Sequence, residues 1–423
     1  MAARIALNTP SPFAAYSAIK RKLHGLTYKG YDLCKPAAAI IANYLYDNKK
    51  PLRKWRKAFK LLWVEPRHGN ADALHGRLLA WNTLRADHKL NAERIAQVID
   101  DPDHRWRLVQ VPDITKDCRR ALELGTPWRA LRLTLASRVG SAHFLYTLAA
   151  LTYAMRYFES VERRGLTRGI ESLIAYNSSN IPECFLTSAC RRNGIRTFSL
   201  QHGLYYDYLI PPPLAIINYE NVTADALLVW SEFCRKQIEG FFQRNGLTAD
   251  FAMPLAGYLK PVEPIRPPMP MKARRRVLCL LPRSGLESSI RLVTLLGGLH
   301  PHCDVLLRPH PALRKSKAFL EAVPETLEMD ENPLLETTLA GRDICLAVGF
   351  NTTSLFDTLL LHIPCALYET PQTAFDAPEL PHFADAPQLL ALLEQARSRP
   401  DVAAQILGAG IFRYAEIVND QPA

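Results

Sequence analysis

Two stretches near the carboxyl end decide how the chain is read: "LRPHPALR", residues 307–314, and "AVGFNTTSLFDTLLLHIPCALYE", residues 347–369. Prolines on both sides of His310 stop a helix from running through it. The second stretch reads as an apolar strand, then Gly-Phe-Asn-Thr-Thr-Ser, then a helix, then a second apolar strand. Working outward, the same alternation surrounds both. "VLCLLPRSG" is a strand and "LESSIRLVTLLGGL" a helix, "CDVLLRPHP" a strand and "LRKSKAFLEAV" a helix, and "APQLLALLEQARSR" a terminal helical region. Strands alternating with helices of about 10–15 residues predict βαβ units and a parallel sheet.

Upstream the alternation appears again. "ESLIAYNSSN" and "IRTFSLQHG" are strands around the helix "IPECFLTSACRRNG". "YENVTADALLVWSEF" leads into a helix that "CRKQIEGFFQRNG" completes, and "FAMPLAGYL" reads as a further strand. Between the two βα runs lies "KPVEPIRPPMPMKARRR", whose prolines at 261, 264, 267, 268 and 270 read as an extended linker. The expected fold class is therefore α/β, with two Rossmann-like domains facing a cleft and a helix-rich amino-terminal portion. The expected division is an amino-terminal domain at 1–260, with a basic, helix-rich part at 1–170 and a βα core at 171–260. A linker follows at 261–275, then a carboxyl-terminal domain at 276–400 and a helical tail at 401–423 that returns toward the first domain.

The chain has 423 residues, 48% apolar and 22% charged, as a globular protein with a sizeable core has. Residues 1–170 carry 30 Lys and Arg against 14 Asp and Glu, while the remainder carries 22 against 27. A basic half of this kind meets phosphates or another polyanion. The opening "MAARIALNTPSPF" lacks the basic and long apolar regions of a signal peptide. The longest apolar run, "AHFLYTLAALTYAMRYF" at 142–158, is short for a membrane span, carries Arg156, and predicts a buried helix. Nine scattered cysteines without a CxxC pair predict reduced thiols and no zinc site.

In "PLRKWRKAFKLLW", residues 51–63, Trp55 and Phe59 fall at helical spacing among Arg53, Lys54, Arg56, Lys57 and Lys60. Such a helix either lies in an anionic membrane interface or packs its aromatic stripe on the core. The expectation is a membrane or acceptor contact through these residues.

Ligands of open parallel sheets bind beyond the carboxyl ends of the strands. "PRSG", "RPHP" and "GFNTTS" all fall there. They make Arg283, Ser284, Arg308, His310, Asn351, Thr352, Thr353 and Ser354 candidates for an anionic ligand, through charge, hydroxyls and a helix start. Taken singly, Thr-Thr-Ser at a helix start is most often a cap, and a histidine between prolines is most often structural. Three such motifs on one edge outweigh those readings. In the first domain His202 ends a strand in "SLQHG". It is either a general base or a core histidine under Tyr205, Tyr206 and Tyr208.

The "LQHG" strand end, the proline linker, "RPHP" and "GFNTTSLFDTLLLHIPCALYE" resemble bacterial GT-B glycosyltransferases of the capsule and surface-polysaccharide type. The sialyltransferase, polysialyltransferase and Kdo-transferase groups are the most similar. The resemblance spans roughly residues 170–400. It implies transfer of a sugar from a nucleotide-sugar, a CMP-activated acidic sugar such as sialic acid or Kdo, to a hydroxyl of a surface glycan or glycolipid. The protein would work without an essential metal or cofactor, at the inner face of the cytoplasmic membrane. By motif, His310 would contact the donor phosphate, and Thr352, Thr353 and Ser354 would hold phosphate or a sugar carboxylate. Glu369 would bind ribose hydroxyls. The base would be His202, as in the similar CDP-glycerol phosphotransferases, or an acidic residue, for which Asp207 and Glu183 are candidates. A CDP-alcohol phosphotransferase, a sugar-nucleotide epimerase and a non-enzymatic polyanion binder are the alternatives; no nucleic-acid motif is present.

Overall fold

In the computed structural model the described residues are 11–47, 51–66, 74–81, 86–111, 118–208, 211–260, 275–283, 285–341, 344–371, 373, 377, 380–395 and 399–419. Residues 261–274 of the expected linker at 261–275, and Ser284, lie outside them.

Two parallel sheets organise the chain. The first contains β1 (His75–Trp81), β2 (Trp106–Gln110), β3 (Gly169–Ala175), β4 (Arg196–Leu200) and β5 (Ala226–Leu228), in the order β2-β1-β3-β4-β5. The second contains β6 (Arg276–Leu281), β7 (Asp304–Pro309), β8 (Glu328–Met329), β9 (Ile344–Gly349), β10 (Cys365–Tyr368) and β11 (His382–Phe383), in the order β8-β7-β6-β9-β10-β11. Every pairing in both sheets is parallel. Both orders reverse once, between β1 and β3 and between β6 and β9. Those reversals open the crevices in which doubly wound sheets bind ligands. The central strands are buried on both faces, which is why "VLCLL" and "SLIA" are runs of apolar residues rather than alternations.

The first sheet reaches further upstream than its expected core. β1 and β2 lie in the part read as mainly helical, and a two-residue hairpin (27–28 with 31–32) and an antiparallel pair (64–66 with 118–120) lie there too. "FAMPLAGYL" forms only two isolated bridges, Ala226 with Ala252 and Val229 with Leu255. Short β8 and β11 were also not legible.

The amino-terminal helices Cys34–Leu45 and Ser141–Arg164 pack on helix Glu183–Arg192, which itself covers β3 and β4. Helix Ser141–Arg164 holds the long apolar run and is buried as expected, closing on Gly165 in the left-handed conformation. Its Arg156 is almost wholly buried and donates to the carbonyls of Leu62 and Glu123, so the charge serves as a clamp between segments. Among the described residues no helix is long and apolar enough to cross a membrane. All nine cysteines are free thiols.

The terminal helices cross back to the first sheet. Pro400–Leu407 packs between helices Glu232–Arg244 and Ser354–Leu360, and Tyr414–Asn419 packs on Ala86–Ile99. Ser231 Oγ donates to Ile406 O at 2.6 Å, Arg196 to Ile417 O at 2.9 Å, and Trp106 Nε1 to Asn419 Oδ1 at 3.0 Å. Gly257, at φ 91°, lets this return occur: a Cβ there would meet Ile411 O at 1.4 Å. One apolar cluster runs without a break from Ile174 and Trp230 through Ile406 and Leu355 to Leu280. The two sheets thus share one core.

Candidate active site

At the reversal of the second sheet, Leu280 and Gly349 are partners across β6 and β9. A Cβ on Gly349 would lie 2.3 Å from Leu280 O, so glycine is what allows the strands to close here. Asn351 follows at φ 48°, a conformation asparagine tolerates better than most residues. It turns the chain so that Thr352, Thr353 and Ser354 stand at the crevice. Arg283, after β6, is exposed beside it.

His310 follows β7, next to β6. Its N–H donates to Leu281 O at 3.1 Å, which ties the loop to the crevice. Its Nδ1 accepts the Ala312 N–H at 3.1 Å. A neutral ring held this way keeps its proton on Nε2, and the prolines that flank it prevent the loop from becoming helix. Ser288, in the helix after β6, meets the hydroxyl of Thr370 from the loop after β10, a contact not read from the sequence.

Arg308 is placed elsewhere. Its guanidinium binds Asp330, Asn332 O at 2.9 Å, Thr338 Oγ1 at 3.2 Å and Pro333 O at 3.2 Å. Asp330 is fully buried; burial works to raise its pKa, yet Thr338 and Arg308 hold the carboxyl below the usual carboxylate range. Arg308 therefore anchors the 330–338 segment. Glu369 is exposed after β10, 3.4 Å from His382 Nδ1.

On the first sheet His202 follows β4. Its Nδ1 is 3.2 Å from the Tyr205 hydroxyl, and its ring lies 5.7 Å from those of Tyr176 and His88. Burial lifts the Tyr205 phenol far above its ordinary range, so this partner stays protonated. His202 is packed among aromatic rings and partly exposed at the strand end. His88, on Ala86–Ile99 and 4.8 Å from Tyr176, joins it. It was missed because no strand was expected near residue 80. The "YNSSN" turn is inward-facing: Thr223 Oγ1 donates to Ser178 O at 2.6 Å and Ser179 Oγ to Asn218 O at 2.9 Å.

The two acidic candidates are engaged or buried in different ways. Asp207 pairs with Arg244, and its backbone N–H donates to Gln237 at 2.9 Å. Glu183 is buried at the start of its helix, and its Oε1 has no hydrogen-bond partner among the described residues. Burial lifts its carboxyl well above the usual range, against a smaller opposing pull from the Asn177 and Tyr176 backbone.

Across the cleft the hydroxyl of Thr353 accepts the Leu204 N–H at 2.8 Å. It makes no cap to its own helix. The motif after β9 and the "QHG" loop after β4 are thereby in direct contact. Beside them Lys260 Nζ lies 3.0 Å from Asp357 Oδ2 and 3.0 Å from Glu336 Oε1, and Tyr258 bonds Asp357 as well. Arg53, Lys54, Trp55, Arg56, Lys57 and Lys60 are not part of this cluster. Their helix, Pro51–Leu62, packs on Ser141–Arg164, and only Ala58, Leu61 and Leu62 are buried. The aromatic stripe does not pack on the core.

The fold and the facing strand ends define an α/β protein built on two parallel sheets of five and six strands. No protein-family model matches the chain, and no curated protein matches it by sequence. Among solved structures it is similar to the lipopolysaccharide outer core galactosyltransferase WaaB in its apo form, at 9% identity and TM-score 0.44, over 81% of this chain and 98% of that one. It is similar also to UDP-GlcNAc 2-epimerase of Methanocaldococcus jannaschii in complex with UDP-GlcNAc and UDP, at 10% identity and TM-score 0.47, over 82% and 98%. The wall teichoic acid polymerase TagF is similar at 10% identity and TM-score 0.45, over 87% and 93%. At this depth the likeness says nothing of the reaction.

Proposed function

We propose that the protein is a glycosyltransferase that moves a sugar from a nucleotide-sugar, a CMP-activated acidic sugar, to a hydroxyl of a surface glycan or glycolipid. The observation that carries this reading is the contact between Thr353 and Leu204. It sets a donor-type loop of one sheet against a histidine-bearing loop of the other. A transferase needs that geometry: the leaving phosphate on one side of the cleft and the acceptor's base on the other.

In this reading the phosphate sits against Asn351, Thr352, Ser354 and Arg283, and His310 Nε2–H donates to it as the sugar bond breaks. Donors fixed before the reaction stabilise the charge as it develops. His202 takes the proton of the acceptor hydroxyl, its ring oriented by the Tyr205 hydroxyl. Closing the cleft excludes water, which would otherwise compete as acceptor.

One observation favours a second reading, a CDP-alcohol phosphotransferase. Asp207 is engaged by Arg244, and burial keeps the Glu183 carboxyl toward its protonated form, which makes a histidine rather than an acid the available base. The products separate the two, because only the phosphotransferase leaves phosphate in its product.

Calorimetric titration of CMP, CDP, UMP and UDP into the wild type and His310→Ala tests the donor side. Tightest binding of CMP, weakened about tenfold or more in the variant, is expected for loss of a charge-assisted contact. Equal affinities in the two proteins, or no preference for cytidine, would overturn the assignment.

A further inference from the structure

Helix Pro51–Leu62 carries Arg53, Lys54, Arg56, Lys57 and Lys60 and no acidic residue. Its apolar tips face solvent: Leu52 is 74% exposed, and Trp55 and Phe59 are each 58% exposed. A second segment, leading into helix Gly125–Ala136, does the same with Leu122 at 82%, Leu124 at 65% and Trp128 at 56%. The two are contiguous. Lys60 lines a hollow with Trp55, Phe59 and Leu145, and lines another with Trp63, Arg120 and Leu122. Arg132 stacks over Trp128, with 5.4 Å from its guanidinium carbon to the ring centroid. Glu123 lies within this exposed run, and Glu65 at its edge is neutralised by Arg119 and Arg163.

We propose that this two-segment face seats on an anionic lipid bilayer, with Leu52, Trp55, Phe59, Leu122, Leu124 and Trp128 entering the headgroup region and the surrounding cations meeting lipid phosphates. Charge and shape select this occupant. A second copy docked through the same face would set cations against cations. A nucleic acid would have no use for six protruding apolar side chains. A bilayer interface takes both, aromatic rings at headgroup depth and a basic rim against an anionic leaflet. The inference is independent of the donor assigned above, because binding to vesicles is read without any transfer.

The test is flotation of the full chain with vesicles of mixed phosphatidylglycerol and phosphatidylcholine, and with phosphatidylcholine alone. Binding to the anionic vesicles that falls with salt is expected. Trp55→Ser/Phe59→Ser and, separately, Leu122→Ser/Leu124→Ser are each expected to weaken partitioning about tenfold at an unchanged thermal midpoint, since each removes apolar area from the buried face. Failure of the wild type to float at low salt overturns the proposal. So do Leu122→Ser/Leu124→Ser partitioning that matches wild type, and a wild-type oligomer in sedimentation that either variant dissolves. If charge reversal at Arg53 and Lys54 abolishes binding while both apolar variants bind normally, the face is a polyanion site and the proposal is again overturned.

Discussion

Thr353, in the second sheet's loop, accepts a hydrogen bond from the backbone N–H of Leu204, which lies two residues after His202 in the first. Leu204 is buried, so that N–H has no easy alternative in water. The contact couples the loop that would hold a donor to the loop that would carry the base.

Thr353→Val keeps the shape and removes the acceptor. Leaving the N–H unpaired costs about 1–3 kcal/mol of the closed arrangement. Transfer is expected to slow about tenfold while nucleotide affinity changes little, and Thr353→Ser is expected to restore the rate. A large loss of nucleotide affinity in Thr353→Val would instead show the hydroxyl holding the donor itself.

His202→Ala is expected to lower the transfer rate about 100-fold or more, as for loss of a general base, with much less effect on nucleotide binding. His88→Phe, which keeps an aromatic ring beside Tyr176, is expected to slow transfer without altering nucleotide affinity. Single-turnover rates and titrations on the same samples separate the two quantities. Normal transfer in His202→Ala would return the base to Glu183 or Asp207.

Glu183 has a folded-state pKa raised by burial, so the native protein holds a proton that the unfolded chain releases above about pH 4.3. Its stabilising contribution is whole below the unfolded value and is lost as pH rises toward the raised folded value. Glu183→Gln stays neutral throughout. Its thermal midpoint is expected to fall less than the wild type's between about pH 5 and about pH 8. Parallel curves would show that Glu183 does not carry the proton in the folded state.

Lys260 binds Asp357 and Glu336 at the cleft, with its own side chain and that of Asp357 mostly buried. Lys260→Met strands the carboxylates. The expected cost is about 2 kcal/mol, between exposed and fully buried pairs. Denaturant midpoints measure it, and Asp357→Asn in the Lys260→Met background is expected to recover part of the loss.

Gly349→Ala places a methyl 2.3 Å from Leu280 O, a backbone atom that cannot rotate away. A loss of about 1–3 kcal/mol is expected, with a matching fall in thermal midpoint. An unchanged midpoint would mean that the strands have room to part.

The βα alternation after residue 169, the buried 141–164 helix and the polar motifs at the strand ends were determined by the sequence, because each depends on residues a few positions apart. Apolar runs bury strands, proline and glycine end helices, and strand–helix alternation forces parallel pairing. What the tertiary structure decided lies at long range. β1 was hidden because its partner β3 begins at Gly169, some ninety residues away, and "HGRLLAW" has too little periodicity to announce a strand by itself. His88 came beside Tyr176 and His202 only through the tertiary fold. Arg308 could be read as a phosphate ligand until the chain returned Asp330 to it, and Asp207 as a base until Arg244 reached it. Thr353 read as a ligand for phosphate, or taken singly as a helix cap, yet its hydroxyl meets a backbone N–H 149 residues away in the other sheet. Local pattern reports which side chains are polar at a strand end. Which of them remain turned to the cleft depends on the charges and N–H groups that the rest of the fold delivers to them.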